Sequence, residues 1–249
     1  MPSITLEILD HVVFLVLVAL LPWRAHRRFL SLEEAVDGGD RKARTRAYRT
    51  VVTEKWMLTA AIAALWIVLD RSASSIGLIA DTTPRAIAGY ALTALAIGAL
   101  LMLVRSTARS EQGRRRTRES IASARALVPH TAAEKRWFDA VSVTAGIEEE
   151  LIYRGFLFAY LAAWLPAMPV AVIIVLAGLV FGLAHAYQGM AGIVKTGTLG
   201  ILFGVGYWMT GSLWAPILLH AAVDLASGWL SLQVVREDGL VDRAEPVAV

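Results

Sequence analysis

Long apolar runs, broken by short charged clusters, make up most of the chain. A soluble domain of this length would instead show amphipathic periodicity, so the pattern is typical of a polytopic helical membrane protein. We predict an all-α fold, a bundle of about seven transmembrane helices. The predicted spans are 7–23, 56–70, 86–104, 138–165, 168–187, 190–210 and 213–232.

The polar stretches between the spans divide the chain into three parts. Residues 1–137 contain N-terminal membrane helices and two basic segments, 138–232 form a helical core, and 233–249 form a polar C-terminal tail. The second predicted span is short, so we expect it to begin inside the basic helical segment 40–55 that precedes it.

Positive charge is concentrated in two segments that adjoin predicted spans. Of the 24 Lys and Arg residues, nine lie in 24–55 and nine in 105–137. The positive-inside rule makes both segments cytoplasmic, which puts the N-terminus outside and the C-terminus in the cytoplasm. The net charge of +3 therefore reflects topology and contact with the lipid bilayer, and no nucleic-acid partner is expected.

Composition supports the membrane assignment and removes several kinds of chemistry. Hydrophobic residues make up 57% of the chain, charged residues only 18%, and the mean hydropathy is +0.57. The absence of cysteine excludes disulfides, thiolate catalysis and cysteine-based zinc sites. A composition rich in Ala and Arg is typical of a bacterial chain, which makes the inner (plasma) membrane the expected location.

Three consecutive glutamates in "GIEEELIYRG" are costly in such apolar surroundings. On a helix, Glu150 and Arg154 are four residues apart and share a face, so they can form an ion pair. Glu149 points about 100° away from Glu150 and is free for other work. An ionisable group near mid-membrane marks a functional site, with a partner to be found.

Two later helices supply candidate partners for Glu149. "FGLAH" pairs Phe181 with His185, and "HAAVD" pairs His220 with Asp224, each four residues apart on one helix face. Two imidazoles and two carboxylates can activate a water molecule or hold a divalent metal. On the predicted boundaries His185 lies about 10 Å closer to the cytoplasm than His220, which a tilted or longer fifth helix would correct.

Taken together, these motifs resemble the CAAX-protease and bacteriocin-processing family of intramembrane proteases, also called the CPBP or Abi family. The family pattern is Glu-Glu-x-x-x-Arg, then Phe-x-x-x-His, then His-x-x-x-Asn or Asp. The matching residues are Glu149, Glu150 and Arg154, then Phe181 and His185, then His220 and Asp224. The resemblance covers about 140–230 and implies that Glu149 is the general base, that His185 holds the attacking water, and that His220 and Asp224 face the scissile carbonyl.

Supporting roles follow from the same resemblance. Glu150 and Arg154 would brace the site, and Phe181, the aromatic residue of the Phe-x-x-x-His pattern, would support it. The resemblance implies either no cofactor or a divalent metal such as zinc, held by the catalytic Glu, His and Asp residues. Asp224 stands where the CAAX-cleaving members carry Asn, and an ionised Asp cannot donate a hydrogen bond to an oxyanion.

We therefore expect an intramembrane endopeptidase whose partners are membrane-associated or lipidated proteins or peptides. Water activation by glutamate needs no nucleophilic side chain, which agrees with the absence of cysteine and of a Gly-x-Ser-x-Gly motif. One alternative is a non-catalytic scaffold or bacteriocin-immunity-type protein that keeps the polar cluster for partner binding. Another is a proton-coupled transporter, although the chain lacks the internal repeats common in that class.

Overall fold

A computed structural model describes residues 4–122 and 124–237, and this part of the chain is helical without a single strand. It forms eight helices, α1 to α8 in chain order. Their bounds are Ile8–Asp37 (α1), Ala43–Val68 (α2), Pro84–Arg109 (α3), Glu111–Ala122 (α4), 132–164 (α5), Val170–Ala184 (α6), Gly189–Thr210 (α7) and Trp214–Glu237 (α8).

The predicted all-α membrane bundle is confirmed. Five helices (α1, α2, α3, α7 with the 3-10 turn before it, and α8) are long and apolar enough to cross a membrane. The other two predicted spans correspond to α5 and to α6, a shorter apolar helix. Each of the seven predicted runs thus coincides with one helix, and α2 begins within the basic segment, as expected.

Two boundaries differ from the sequence-based expectation. Helix α8 continues to Glu237, five residues into the predicted tail 233–249, and the rest of that tail lies outside the described residues. Helix α4, which the hydropathy pattern did not predict, lies in the second basic segment, and none of its residues is buried. Arg114 of α4 pairs with Glu237 of α8, so charge rather than apolar burial joins these two ends.

Helix α5 is the centre of the bundle. Every residue from 151 to 161 is buried, including the large side chains of Phe156, Phe158 and Tyr160. A helix that is apolar on all sides is one surrounded by other helices. By contrast, α3 leaves Leu95, Met102 and other apolar side chains exposed, as expected of a helix that faces lipid.

A π-helical turn interrupts α5 immediately after the three glutamates. The helix is α-helical over Ala132–Glu150, π-helical over Leu151–Phe156 and α-helical again over Leu157–Trp164. Such turns insert a residue into the helical repeat and occur frequently at functional sites. Here the inserted residue rotates the side chains of the apolar C-terminal half of α5 about the helix axis relative to those of its polar N-terminal half.

Helices α6 and α7 form a tightly packed hairpin in which glycines provide the contact surface. A Cβ added at Gly182 would lie 2.7 Å from the carbonyl oxygen of Ile193 and 3.0 Å from Cα of Gly197. Both atoms belong to the α7 backbone, which cannot move aside as a flexible side chain would. The glycines therefore set the separation of the two helices, as small residues commonly do between membrane helices.

We expect Gly182→Ala to lower the free energy of unfolding by about 1–3 kcal/mol, because its methyl group overlaps the α7 backbone. Gly206→Ala on α7 is the matched control, since a Cβ there meets no atom within 4 Å. Thermal unfolding in detergent should show a lower Tm for the first variant and an unchanged or higher Tm for the second. Equal Tm values for the two variants would contradict this account of the hairpin.

Candidate active site

Three helices bring the four predicted catalytic residues to one place. Glu149 comes from α5, His185 directly follows α6, and His220 and Asp224 come from α8. The Oε2 atom of Glu149 lies 3.8 Å from Nε2 of His185 and 3.8 Å from Nε2 of His220. Nε2 of His220 is in turn 3.6 Å from Oδ2 of Asp224. Glu149 therefore faces both imidazoles in one polar cluster, which we call the pocket.

The shortness of α6 explains how His185 reaches this pocket. The helix has 15 residues and ends at Ala184, which makes it about 22 Å long, less than the roughly 30 Å of a hydrocarbon core. The predicted span 168–187 extends past this end, so of the two corrections considered, a tilted or a longer fifth helix, the longer helix is wrong. Because the α6–α7 hairpin turns back early, His185 lies at its tip, at the level of Glu149, and the predicted offset in depth disappears.

Hydrogen bonds to the Nδ1 atoms fix the orientation of both imidazoles. Nδ1 of His185 is 2.8 Å from the carbonyl oxygen of Phe181, and Nδ1 of His220 is 2.7 Å from Oε1 of Glu150. A carbonyl or carboxylate oxygen only accepts, so each Nδ1 carries the proton. In a neutral ring Nε2 then has a free lone pair, and on both histidines this atom is the one that faces Glu149.

Glu150 and Arg154 form a fully buried ion pair beneath the pocket. Nη1 of Arg154 donates to Oε1 of Glu150 at 2.9 Å, and neither side chain is exposed to solvent. Nη2 of Arg154 donates to the carbonyl oxygen of Gly200 at 2.8 Å, which ties α5 to α7. Oε1 of Glu150 thus accepts from Arg154 and from His220, so the pair also orients an imidazole.

Two phenylalanines form the apolar wall of the site. The guanidinium of Arg154 lies 4.6 Å from the ring centroid of Phe181 and 5.4 Å from that of Phe203. The ring of Phe203 also stacks on His220 with a centroid separation of 5.1 Å. Aromatic faces attract cations, so they favour the buried guanidinium while they keep water from the base of the site.

Lys55 is a member of the cluster that sequence reasoning missed. Its Nζ atom donates to Oε2 of Glu148 at 2.6 Å and to Oε1 of Glu149 at 2.8 Å, from α2 to α5. The position of Lys55 in the sequence could have indicated this role. Because α2 begins within the basic segment, Lys55 lies inside a membrane helix rather than in a loop. A lysine in such a helix requires a partner.

The exposed fraction of the side chains increases from the buried base of the site to its open side. The side chain of Glu150 is 0% exposed, those of Glu149 and His185 are 13% and 15%, and that of Asp224 is 36%. The more exposed side of the cluster is therefore the side of Asp224 and the α6–α7 tip. Among the described residues, the four carboxylates of Glu148, Glu149, Glu150 and Asp224 face two permanent cations, Lys55 and Arg154, so two negative charges remain without a permanent cation.

The site has the donor types of a metal site without its spacing. Two imidazole nitrogens and two carboxylate oxygens are ligands that zinc accepts, and those of Glu149, His185, His220 and Asp224 would hold the ion. Within residues 4–122 and 124–237, however, no group of three His, Asp or Glu side chains has the spacing of a metal site. Binding would thus require these side chains to move closer together.

Comparison with known proteins agrees with the motif analysis. Residues 136–226 match the family model described as Rce1-like, type II CAAX prenyl endopeptidase. No curated protein and no solved structure matches the chain. The matched segment contains every residue of the pocket except Lys55, and the predicted resemblance to this protease family is confirmed. With its apolar helices, the match makes the chain an integral membrane protein.

We expect Arg154→Met to lower the free energy of unfolding by about 3–5 kcal/mol, because it leaves Glu150 buried without its cation. Arg115→Met is the control, since the Arg115–Glu119 pair is largely exposed and worth about 0–1 kcal/mol. Tm measurements in detergent compare the two variants. A loss of stability no larger for Arg154→Met than for Arg115→Met would contradict the bracing role.

Proposed function

We propose that this chain is an intramembrane endopeptidase, and the match of residues 136–226 to the Rce1-like model of CAAX-type proteases supports this. It hydrolyses a peptide bond of a membrane-associated or lipidated protein or peptide, and it uses a water molecule activated by glutamate. The observation that carries the proposal is the facing of one oxygen of Glu149 toward the Nε2 atoms of two histidines.

The first step is water activation between Glu149 and His185. Oε2 of Glu149 and Nε2 of His185 are 3.8 Å apart, so one water molecule can lie within hydrogen-bond distance of both. The neutral His185 accepts one hydrogen bond and orients the water. Glu149 accepts the other and removes that proton as the oxygen attacks the substrate carbonyl, which is general-base catalysis.

Stabilisation of the tetrahedral oxyanion falls to His220. With a proton on each nitrogen, its ring donates from Nδ1 to Glu150 and from Nε2 to the developing oxyanion. The carboxylate of Glu150 balances the positive imidazole at the base of the site. Asp224, when ionised, cannot donate a hydrogen bond to the oxyanion. Its Oδ2 atom lies on the exposed side of the His220 ring, 3.6 Å from Nε2.

Collapse of the intermediate returns the proton. Glu149, protonated after water attack, gives its proton to the leaving amine as the carbon–nitrogen bond breaks. The products are a new carboxyl terminus and a new amino terminus, and Glu149 is again ionised. No covalent enzyme intermediate is required, so the reaction needs no cysteine or serine nucleophile.

Substrates reach the site from the cytoplasmic side in this proposal. The positive-inside topology directs the α6–α7 tip, which carries His185, toward the cytoplasm, with the N-terminus outside. The chain would thus act in a bacterial inner membrane on a membrane protein or peptide held in the bilayer. Its basic segments contact anionic lipid rather than nucleic acid.

The proposal is tested by profiling new peptide termini in host membranes by mass spectrometry. Membranes with the wild-type protein are compared with those carrying Glu149→Gln, which keeps the shape of the side chain and removes the base. We expect a set of termini that depends on Glu149, with cleavage reduced by about 10²–10⁴-fold in the variant. Glu119→Gln, an exposed change on α4, is the control and should match the wild type.

Other outcomes of this profiling would favour the alternatives. Identical profiles for the folded wild type and Glu149→Gln would sink the protease proposal and favour a scaffold or immunity-type protein. Proton-dependent flux in liposomes that Glu149→Gln abolishes would favour a transporter.

Metal removal provides a separate prediction. A divalent ion held by Glu149, His185 and His220 would supply a more acidic bound water. Lys55 already binds one oxygen of Glu149, and its positive charge opposes a second cation on the same carboxylate. We therefore expect cleavage by the purified protein to survive exhaustive chelation. Loss of cleavage with EDTA, reversed by zinc, would contradict this form of the mechanism.

A further inference from the structure

Lys55 contacts the proposed general base from a helix outside the segment that matches the protease family. Residue 55 lies on α2, whereas the family match covers 136–226. One ammonium group bridges two adjacent carboxylates, with Nζ 2.6 Å from Oε2 of Glu148 and 2.8 Å from Oε1 of Glu149. This bridge is a direct polar link from α2 to the pocket.

We propose that Lys55 is a positioning residue that holds the general base by one oxygen and directs the other toward the attacking water. This proposal rests on the proposed function. A free glutamate side chain can rotate about three torsions, and either oxygen can face either way. With Oε1 of Glu149 bound to Lys55, Oε2 is the oxygen that faces His185 and His220, each 3.8 Å away.

Glu148 has a defined part in this arrangement. When Glu149 takes a proton from water, it becomes neutral, and its attraction for the ammonium weakens. Glu148 takes no part in this proton transfer and retains Lys55 through its own contact of 2.6 Å. The lysine therefore keeps its position throughout the reaction, and Glu149 returns to the same bound geometry after it releases the proton.

Neighbouring contacts fix the rotation of α2 that points Lys55 into the pocket. Glu54, the preceding residue, pairs with Arg24 and Arg28 of α1. Because consecutive helical residues point about 100° apart, the pairing of Glu54 with α1 directs Lys55 toward α5. The side chain of Lys55 is 20% exposed, so its ammonium lies mostly within protein.

Charge compensation alone is the competing explanation for this lysine, and a charge-matched variant separates the two. Lys55→Met leaves two adjacent carboxylates without a cation. Lys55→Met combined with Glu148→Gln removes one positive and one negative charge, so the local net charge is the same as in the wild type. Glu149 then keeps its electrostatic balance but loses its anchor.

The experiment measures kcat, KM and Tm in proteoliposomes, with a substrate found by terminal profiling. We expect Lys55→Met to lower kcat by about 100-fold with little change in KM, since displacement of a catalytic group by about 1 Å costs that much. The charge-matched double variant should regain Tm and keep the low kcat. Lys55→Arg, which retains charge and donors, should recover at least about tenfold in kcat.

Each outcome decides the proposal. A double variant with wild-type kcat would show that Lys55 only compensates charge, and a Lys55→Met variant with wild-type kcat would show that it has no role in positioning. Either result would overturn this inference and leave the protease function intact. If the wild-type protein shows no cleavage that depends on Glu149, the proposed function and this inference fail together.

Discussion

Charge compensation inside an apolar helix bundle is the constraint on which the site depends. An ionised carboxylate in such surroundings costs several kcal/mol unless a cation or hydrogen bonds offset it. Each of the three adjacent glutamates has a different set of partners that offsets its charge. Glu148 binds Lys55, Glu150 binds Arg154 and His220, and Glu149 shares Lys55 through one oxygen only. The run of glutamates is thus two structural anchors on either side of one carboxylate with a free oxygen.

Helix length is the second physical condition for the site. Because α6 has only 15 residues, the hairpin it forms with α7 turns back after about 22 Å and brings His185 to the level of Glu149. Glycine contacts between α6 and α7 hold that short hairpin close to the core, and Arg154 reaches across to the carbonyl of Gly200. The glycine packing of α6 against α7 and the hydrogen bond of Arg154 to α7 therefore lie in the same part of the bundle.

The sequence predicts the parts of this structure that local pattern controls. Apolar runs indicate the seven spans, and i to i+4 spacing indicates the Glu150–Arg154 pair and the shared face of His220 and Asp224. Sequence analysis did not predict the role of Lys55, because its partner Glu149 is 94 residues away and local spacing carries no information about such a contact. The C-terminal end of α6 was also not predicted, since residues 185–187 include no acidic residue, lysine or arginine that would mark a helix end in a hydropathy profile.

The division of roles among the three glutamates is tested most directly by measuring Tm and kcat together for Glu148→Gln, Glu149→Gln and Glu150→Gln. The account predicts that Glu149→Gln lowers kcat by about 10²–10⁴-fold and leaves Tm near the wild-type value. It predicts that Glu150→Gln lowers Tm markedly, because Arg154 then lies buried without a carboxylate. If Glu149→Gln remained active, or lost as much stability as Glu150→Gln, the assignment of one working carboxylate between two structural ones would be contradicted.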